Sequence, residues 1–377
     1  MNVYKRLHFF RDEKVVETFI SLFERVFPGE NLYIVISSRK SFVHVVGKDN
    51  VLLLGVKSSE LKKIIEQINC FKQIVLHSIW SELDSLLESV VHPSISWIIW
   101  GADLYETLLY RKGYELYEDE DEIYRVRANY WPVPLYKLLV KIRDSLLFNK
   151  RYKTLKKITF IYAEWCDYDL FVYYYPEFAG VKHKYMYYYP IDDILSNFII
   201  NKECFGENIW VNNCSGINGN HVCIFKKLKN LYVTNKVIVP LSYGDDRYAK
   251  YILEEGRIIL GSGFYELVKF LPKEEYYSLF LSSNVFLFGH FRQCAFGNIL
   301  IAFYLGGKVF LFKKNPLYDY FKIMGLHVYT IDDDLEKCEF SVPLEAEKRM
   351  KNRQVIACHF STERLLHLFE TNFSCQS

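Results

Sequence analysis

The chain has 377 residues, half of them apolar and about a quarter charged, with a formal net charge of +2. That length exceeds what one hydrophobic core usually supports, so two domains are expected, and the composition excludes a disordered tail, a collagen and a disulfide-rich mini-protein. The balanced charge argues against nucleic acid as a partner, while leaving room for a local basic face.

The opening residues run from Met1 straight into Arg11-Asp12-Glu13-Lys14 with no apolar signal core, so secretion is not expected. Short apolar, β-rich runs then alternate with helical periods, the pattern of parallel sheets with crossover helices. Strands are predicted at 4–9, 32–37, 73–77, 96–100, 158–162 and 185–189, then at 208–212, 236–240, 257–260, 284–288, 308–312 and 327–329. Between the first two, Val15, Val16, Phe19, Ile20, Leu22, Phe23 and Phe27 share one helical face, which Pro28-Gly29 ends. Pro190, a pair of acids and a polar stretch over 190–207 place a domain junction near residue 193. The nine cysteines form no C-x-x-C pair and read as reduced cytosolic thiols. No window is long and apolar enough to span a membrane. The 30 Tyr and 29 Phe read either as a sugar-stacking surface or as compositional bias.

Several segments could carry chemistry. In Trp97–Glu106 the acid Asp103 falls just past a strand end, where open α/β sheets bind ligands. It is a candidate general base for an acceptor hydroxyl, with Tyr105 as a wall, or alternatively a helix N-cap. His8 and His77 belong to neighbouring strand ends and point to the same edge. Over 137–157, Lys137, Lys141, Arg143, Lys150, Arg151, Lys153, Lys156 and Lys157 face one acid, Asp144, with apolar residues between them. Such a helix can lie on an anionic bilayer or present a solvated charged face. Asp167-Tyr168-Asp169 is a D-x-D that could hold a divalent metal on a nucleotide diphosphate. Two turns of the second half suit an anion: the run from Asn212 to His221, rich in Gly, Asn and Ser, and the run from Gly289 to Asn298, which contains His290, Arg292 and Gln293. The first is not G-x-G-x-x-G, which speaks against a nicotinamide dinucleotide. Hydrolase elbow, P-loop and zincin motifs are lacking.

Trp100-Gly101-Ala102-Asp103-Leu104-Tyr105-Glu106 resembles the W-G-A-D-L-Y-E signature of the bacterial TDP-N-acetylfucosamine:lipid II N-acetylfucosaminyltransferases, glycosyltransferase family 56, also labelled 4-alpha-L-fucosyltransferases. His8 with Asp12-Glu13-Lys14, the Asn213 to His221 loop, Val239-Pro240-Leu241-Ser242-Tyr243-Gly244 with Tyr248, Leu271-Pro272 with Glu275-Tyr276, and the turn from Arg292 to Asn298 ending in Gly306-Gly307-Lys308 extend the likeness along nearly the whole chain. Cys214 and Gly219 depart from the pattern, where Ser and Asn or Ser are usual.

The resemblance implies an α/β GT-B architecture, two Rossmann-like domains facing a central cleft. Residues 1–193 would bind the acceptor and 194–377 the nucleotide-sugar, with the last helix near 360–371 packing back on the first domain. It implies transfer of a fucose-like sugar, such as a 4-acetamido-4,6-dideoxy sugar, from a dTDP- or GDP-linked donor to a polyprenyl-diphosphate-linked glycan in surface polysaccharide synthesis. No metal or other cofactor is implied, and the location would be the cytoplasmic face of the inner membrane. Asp103 is then the expected base with His8 second, and His77, Trp100 and Tyr105 the acceptor contacts. Asn213, Ser215, Asn220, His221, Ser242, Tyr243, Tyr248, His290, Arg292, Gln293, Gly297 and Asn298 are expected to hold the donor, and the 137–157 face to meet the membrane. Alternatives are a non-catalytic nucleotide-sugar-binding protein and a metal-dependent GT-A transferase using Asp167 and Asp169.

Overall fold

The computed structural model describes residues 4–128, 131–187, 189–195 and 199–374. Its strands form two parallel sheets. The first contains β1 (Arg6–Arg11), β2 (Asn31–Ile36), β3 (Val51–Leu54), β4 (Gln73–His77), β5 (Ile95–Ile98), β6 (Phe160–Ala163) and β7 (Lys182–Tyr185) in the order β3-β2-β1-β4-β5-β6-β7. The second contains β8 (Asn208–Val211), β9 (Val237–Pro240), β10 (Phe264–Leu267), β11 (Ser283–Phe288), β12 (Lys308–Leu311) and β13 (Val328–Thr330) in the order β10-β9-β8-β11-β12-β13. Helices cover both faces of such sheets, which is why central strands such as β2 and β11 are buried at every position. In each sheet the strand order reverses once, between β1 and β4 and between β8 and β11. Doubly wound sheets bind ligands outside the strand ends at that reversal.

The chain divides into two compact units, and the division is not a single cut near residue 193. One unit takes Met1–Gly113, Val140–Tyr188 and Glu363–Ser377; the other takes Tyr114–Leu139 and Tyr189–Thr362. Residues 114–139 belong with the second sheet because Ile123 packs in its apolar core and the Glu118 amide donates to Asn220 Oδ1 at 2.9 Å. The Tyr114 hydroxyl also donates to the Phe291 carbonyl there. The final helix, Thr362–Phe373, is held to the first sheet at its C-terminal end. Arg6, 1% exposed, donates to the Phe373 carbonyl from Nη2 at 2.6 Å, and Tyr162 and Lys184 donate to the Asn372 carbonyl at 3.0 and 2.7 Å. Helix-end carbonyls lack intrahelical partners, and two cations with a phenol satisfy these.

Two strand predictions need correction. Residues 257–260 are the end of the helix Asp246–Leu260, whose start is fixed by Asp245 accepting from the Arg247 and Tyr248 amides, both at 2.9 Å. Its buried face is Tyr248, Ile252 and Gly256, at four-residue spacing, and the β-branched Ile258 lies on the exposed side. The strand follows at Phe264–Leu267. The strand expected at 185–189, of which residue 188 lies outside the described residues, ends at Tyr185. The short edge strand β3 was not anticipated. The eight cysteines among the described residues are all free thiols.

The helix Val133–Leu155 carries the basic segment, and its two ends differ. Arg151 is 7% exposed; its Nε donates to Asp84 Oδ2 at 2.7 Å and Nη1 to Thr107 Oγ1 at 3.0 Å. It is an interior ion-pair partner, which corrects its assignment to a membrane surface. Burial still raises the Asp84 carboxyl, with Arg151 opposing the rise. Lys137 pairs with Asp121, Arg143 with Asp144 and Lys153 with Glu88, all at the surface, while Lys150 reaches Ser85 and Lys141 is exposed.

Candidate functional site

The reversal point of the second sheet is built from backbone. Asn212, fully buried just past β8, adopts φ 57°, and its side chain bridges the two flanking loops. Nδ2 donates to the Gly219 carbonyl at 2.8 Å, and Oδ1 accepts from the Gly289 amide at 2.8 Å. Asn220, at φ 49°, repeats the device by donating to the Gly289 carbonyl at 2.7 Å. The loops approach so closely that a Cβ on Gly289 would lie 2.3 Å from the Gly219 carbonyl oxygen. Glycine is therefore required at 289 by proximity rather than by φ.

One side of this crevice continues into the turn after β9. The Ser215 amide and hydroxyl both donate to the Tyr243 carbonyl at 2.8 Å, the Asp245 amide donates to the Ser215 carbonyl at 3.0 Å, and Asn213 Nδ2 donates to the Tyr243 hydroxyl at 2.8 Å. Gly244, at φ 123°, lets the turn press against Ser215. On the other side, the loop after β11 leads into the helix Phe296–Tyr304, whose N-cap Ala295 stands at φ 56° and offers no side-chain cap. Helix N-terminal amides together with a guanidinium form an anion-receptive surface. The half-buried Arg292, whose Nη1 donates to the Gln293 carbonyl at 3.1 Å, lies in the same loop. Gly297 and Asn298 are in the first turn of that helix, with Asn298 Nδ2 donating to the Tyr276 hydroxyl at 2.9 Å. Ser242 is half-buried in the β9 turn.

The structure brings Asn213, Ser215 and Tyr243 into one hydrogen-bonded assembly and ties Asn220 to Gly289 and Glu118, while His221, Tyr248, His290 and Gln293 are buried. His221 stands edge-on to Tyr248 with ring centroids 5.6 Å apart, and burial, reinforced by His290, lowers its pKa to about 3. Asn220 also borders a cavity of 320 Å³, lined by Glu118, Glu122, Lys226 and Tyr248 among others. Sequence reasoning passed over Asn212 and Gly289 as site residues. The available signal was an Asn and a Gly each placed directly after a strand.

In the first unit the reversal point is filled by rings. His8 and His77 are fully buried, with His8 Nδ1 3.0 Å from His77 Nε2 and His8 Nε2 3.2 Å from Asn31 Oδ1. Phe10 stacks on His77 at 3.7 Å, and Phe23 meets His8 edge-on at 4.4 Å. Burial lowers His8 to about 3 and His77 well below the ordinary histidine value. Both imidazoles lie inside the packed core, engaged with each other and, for His8, with Asn31. Tyr105 is likewise buried, donating to Asp167, while Trp100 is half-buried with its indole stacked 5.7 Å from Phe19.

Asp103 is 3% exposed and saturated. Oδ2 accepts from Trp97 Nε1 at 2.7 Å and the Ile79 amide at 3.2 Å, and Oδ1 from the Trp100 and Leu104 amides, both at 3.1 Å. Burial raises its carboxyl above the usual range, against the Trp97 hydrogen bond. Four donors make it a tie between loops. Glu13, in the turn after β1, reaches solvent at the rim, where loss of hydration raises its carboxyl; Arg11 opposes the rise and Asp103 adds to it. Its neighbour Asp12 is engaged by the Val43 and His44 amides at 2.7 and 3.0 Å.

The D-x-D reading fails on geometry. Asp167 and Asp169 are two apart on the helix Trp165–Tyr174, with Asp167 buried and Asp169 exposed, so they do not converge on one ion. Among the described residues no group of three His, Cys, Asp or Glu side chains is arranged to hold a metal.

No family model matches this chain, and no curated protein does. Solved structures do. Anabaena HepE, in complex with UDP and glucose, has 9% identity and a TM-score of 0.61, covering 98% of this chain and 99% of its own. A glycosyltransferase from Rickettsia africae has 11% identity and a TM-score of 0.61, with coverage of 99% and 100%. WaaG, a glycosyltransferase involved in lipopolysaccharide biosynthesis, has 11% identity and a TM-score of 0.56, with coverage of 97% and 98%. At such identities the likeness is one of fold, and the fold is GT-B: two Rossmann-like domains with parallel sheets of seven and six strands.

Proposed function

We propose that this chain is a glycosyltransferase that takes a nucleotide diphosphate sugar at the reversal point of its second sheet. The observation that carries the reading is the pair of loops cross-tied by Asn212 and Asn220, opening beside Arg292 and a helix start without a side-chain cap. Preorganised amides and a guanidinium stabilise charge on a departing diphosphate, and a metal is not needed for that task. The GT-B fold, shared with a protein crystallised with UDP and glucose, supports the same ligand class. As base for the acceptor hydroxyl we favour Glu13, exposed in the turn after β1, over the buried Asp103, whose oxygens already accept four hydrogen bonds.

The finer reading rests on the family 56 resemblance: a fucose-like donor sugar linked to dTDP or GDP, and a polyprenyl-diphosphate-linked glycan as acceptor. A lipid-linked acceptor requires an approach to the membrane. No described helix is long and apolar enough to cross one. The helix Val133–Leu155 instead exposes Leu135, Leu138, Leu139, Ile142 and Leu146, which recur at i, i+3, i+4, i+7 and i+11 on one face, with Lys141 and Arg143 flanking it. Apolar insertion plus about 1 kcal/mol per surface cation would hold this helix on an anionic leaflet.

A thermal-shift panel of UDP, dTDP, GDP and their sugars tests the donor reading. Stabilisation by at least one nucleoside diphosphate is expected, and no shift with any would overturn it. Sedimentation with anionic vesicles tests the membrane reading. Reversing Lys137, Lys141, Arg143 and Lys150 to Glu should release the protein, and unchanged co-sedimentation would refute the contact.

A further inference from the structure

Beside the reversal point, on the β9 and β10 side, the surface carries two aromatic rings. Tyr243 follows β9 and Phe270 follows β10; they are 41% and 63% exposed. The rings lie almost parallel, 8° between planes and 6.0 Å between centroids, which is offset stacking. Val268, also exposed, extends the apolar surface at the end of β10.

The patch is tied to the anion-receptive loops. The Tyr243 carbonyl takes both the amide and the hydroxyl of Ser215, and the Tyr243 hydroxyl accepts from Asn213 Nδ2. Asn213 Nδ2 is thereby committed, while Asn213 Oδ1 is buried without a hydrogen-bond partner. A buried acceptor with no donor is costly unless a ligand supplies one. The Tyr243 ring thus touches the β8 loop directly through Asn213, and Phe270 follows β10, the next strand outward in the order β10-β9-β8.

We propose that the Tyr243–Phe270 pair is the platform on which the nucleobase of the donor stacks, with Asn213 Oδ1 accepting a hydrogen bond from an N–H or O–H of the nucleoside. The inference rests on the reading of the second sheet as a nucleotide-sugar site and assigns its base-binding end. Every base has a π-face, so the platform contributes affinity across bases, and the Asn213 acceptor adds a demand for a donor on the nucleoside.

Calorimetric titration of the full chain with UDP, dTDP, GDP and, separately, inorganic pyrophosphate decides the matter. Loss of a stacking platform weakens a bound base by about ten- to a hundredfold. Phe270→Ala should therefore weaken every nucleoside diphosphate that the wild type binds by that factor and leave pyrophosphate unchanged. Phe270 is exposed, so the variant should fold, which circular dichroism and an unchanged pyrophosphate isotherm would verify. Tyr243→Phe keeps the stack and removes the hydroxyl that orients Asn213, so it should weaken the same nucleotides by less than Phe270→Ala does. If the wild type binds a nucleoside diphosphate and Phe270→Ala binds it equally well, the base lies elsewhere and this inference falls alone. If the wild type binds none of them, the donor site and the platform fall together.

Discussion

The two sheets share one topology and reverse their strand order once each, yet the two reversal points are built from opposite materials. Between β1 and β4, His8 in mid-strand, Phe10 and His77 nearer the strand ends and Trp100 beyond β5 pack against Phe19 and Phe23 of the helix Val16–Val26. Between β8 and β11 the space at the strand ends is bounded by Asn212, Gly219, Asn220 and Gly289, whose backbones meet through side-chain amides. Topology offers a crevice in both cases. Whether a polar ligand can use it depends on what the chain itself puts there. Aromatic rings consume the space and exclude water, whereas the loops of the second sheet meet through side-chain amides and lead, beside Arg292, into a helix start without a side-chain cap. Small-molecule affinity should therefore belong to the second sheet, and the first should contribute through its rim.

The largest expected effect comes from removing the amide that joins the two loops. Asn212→Ala leaves the Gly289 amide and the Gly219 carbonyl without their partners in a buried setting. At about 1–3 kcal/mol for each orphaned group, the loss is about 4 kcal/mol, large against the whole stability of a domain. Urea denaturation should show the loss, and nucleoside diphosphate binding should fall below detection. A variant that unfolds earlier yet binds nucleotide normally would separate the loops from the ligand and break the contrast.

The next effect belongs to the ring-filled sheet and is read by acid. His8 is lowered to about 3 and His77 well below its ordinary value, so both are neutral in the folded state at pH values where the unfolded chain takes up protons. Above about pH 6.5 neither state is charged and the stability is fully present; below it each imidazole removes about 1.4 kcal/mol per pH unit until its folded pKa is reached. Between pH 7.5 and 5.5 the pair should cost about 2.8 kcal/mol, measured by denaturation monitored through Trp97 and Trp100 fluorescence. Equal stability at the two pH values would mean that the imidazoles charge in the native state. The crevice of the first sheet would then be hydrated and open to ligands after all.

Much of this contrast was legible in the residues, for reasons that also explain what was not. Parallel strands buried on both faces read as continuous apolar runs, so most of them were predicted within a few residues. Arg257–Leu260 imitates such a run, but its position relative to the Asp245 cap makes it the last turn of a helix. Asn and Gly directly after a strand carry a backbone signal, and the loops around 212–221 and 289–298 were readable by it. Histidines in strands carry no comparable signal, because sequence does not reveal which face of a doubly covered sheet is already filled. His8, His77 and His221 thus read as surface groups, and the structure buries all three. Arg151 repeats the lesson on a helix: it stands among solvated lysines in the sequence and reaches inward only because Asp84 waits there.

The smallest change in stability should come from the rim of the first sheet, where structure and chemistry can be separated by one pair of variants. Asp103→Asn keeps the shape but turns an amide NH2 toward two of the four donors that the carboxylate accepted, at a cost of about 2 kcal/mol. Glu13→Gln removes a charge from a side chain that reaches solvent, and its stability should stay within about 0.5 kcal/mol of the wild type. The order reverses when the readout is transfer from the sugar nucleotide selected by the thermal panel. Without a carboxylate to take the hydroxyl proton, Glu13→Gln should lose about 10²–10⁴-fold in turnover with nucleotide affinity unchanged. Asp103→Asn should retain most of its turnover once folded, because its oxygens already hold Trp97, Ile79, Trp100 and Leu104. Were Asp103→Asn the inactive variant and Glu13→Gln the active one, the buried carboxylate would have to exchange a structural donor for a substrate proton. The first sheet would then owe its chemistry to its interior, as the second does to its loops.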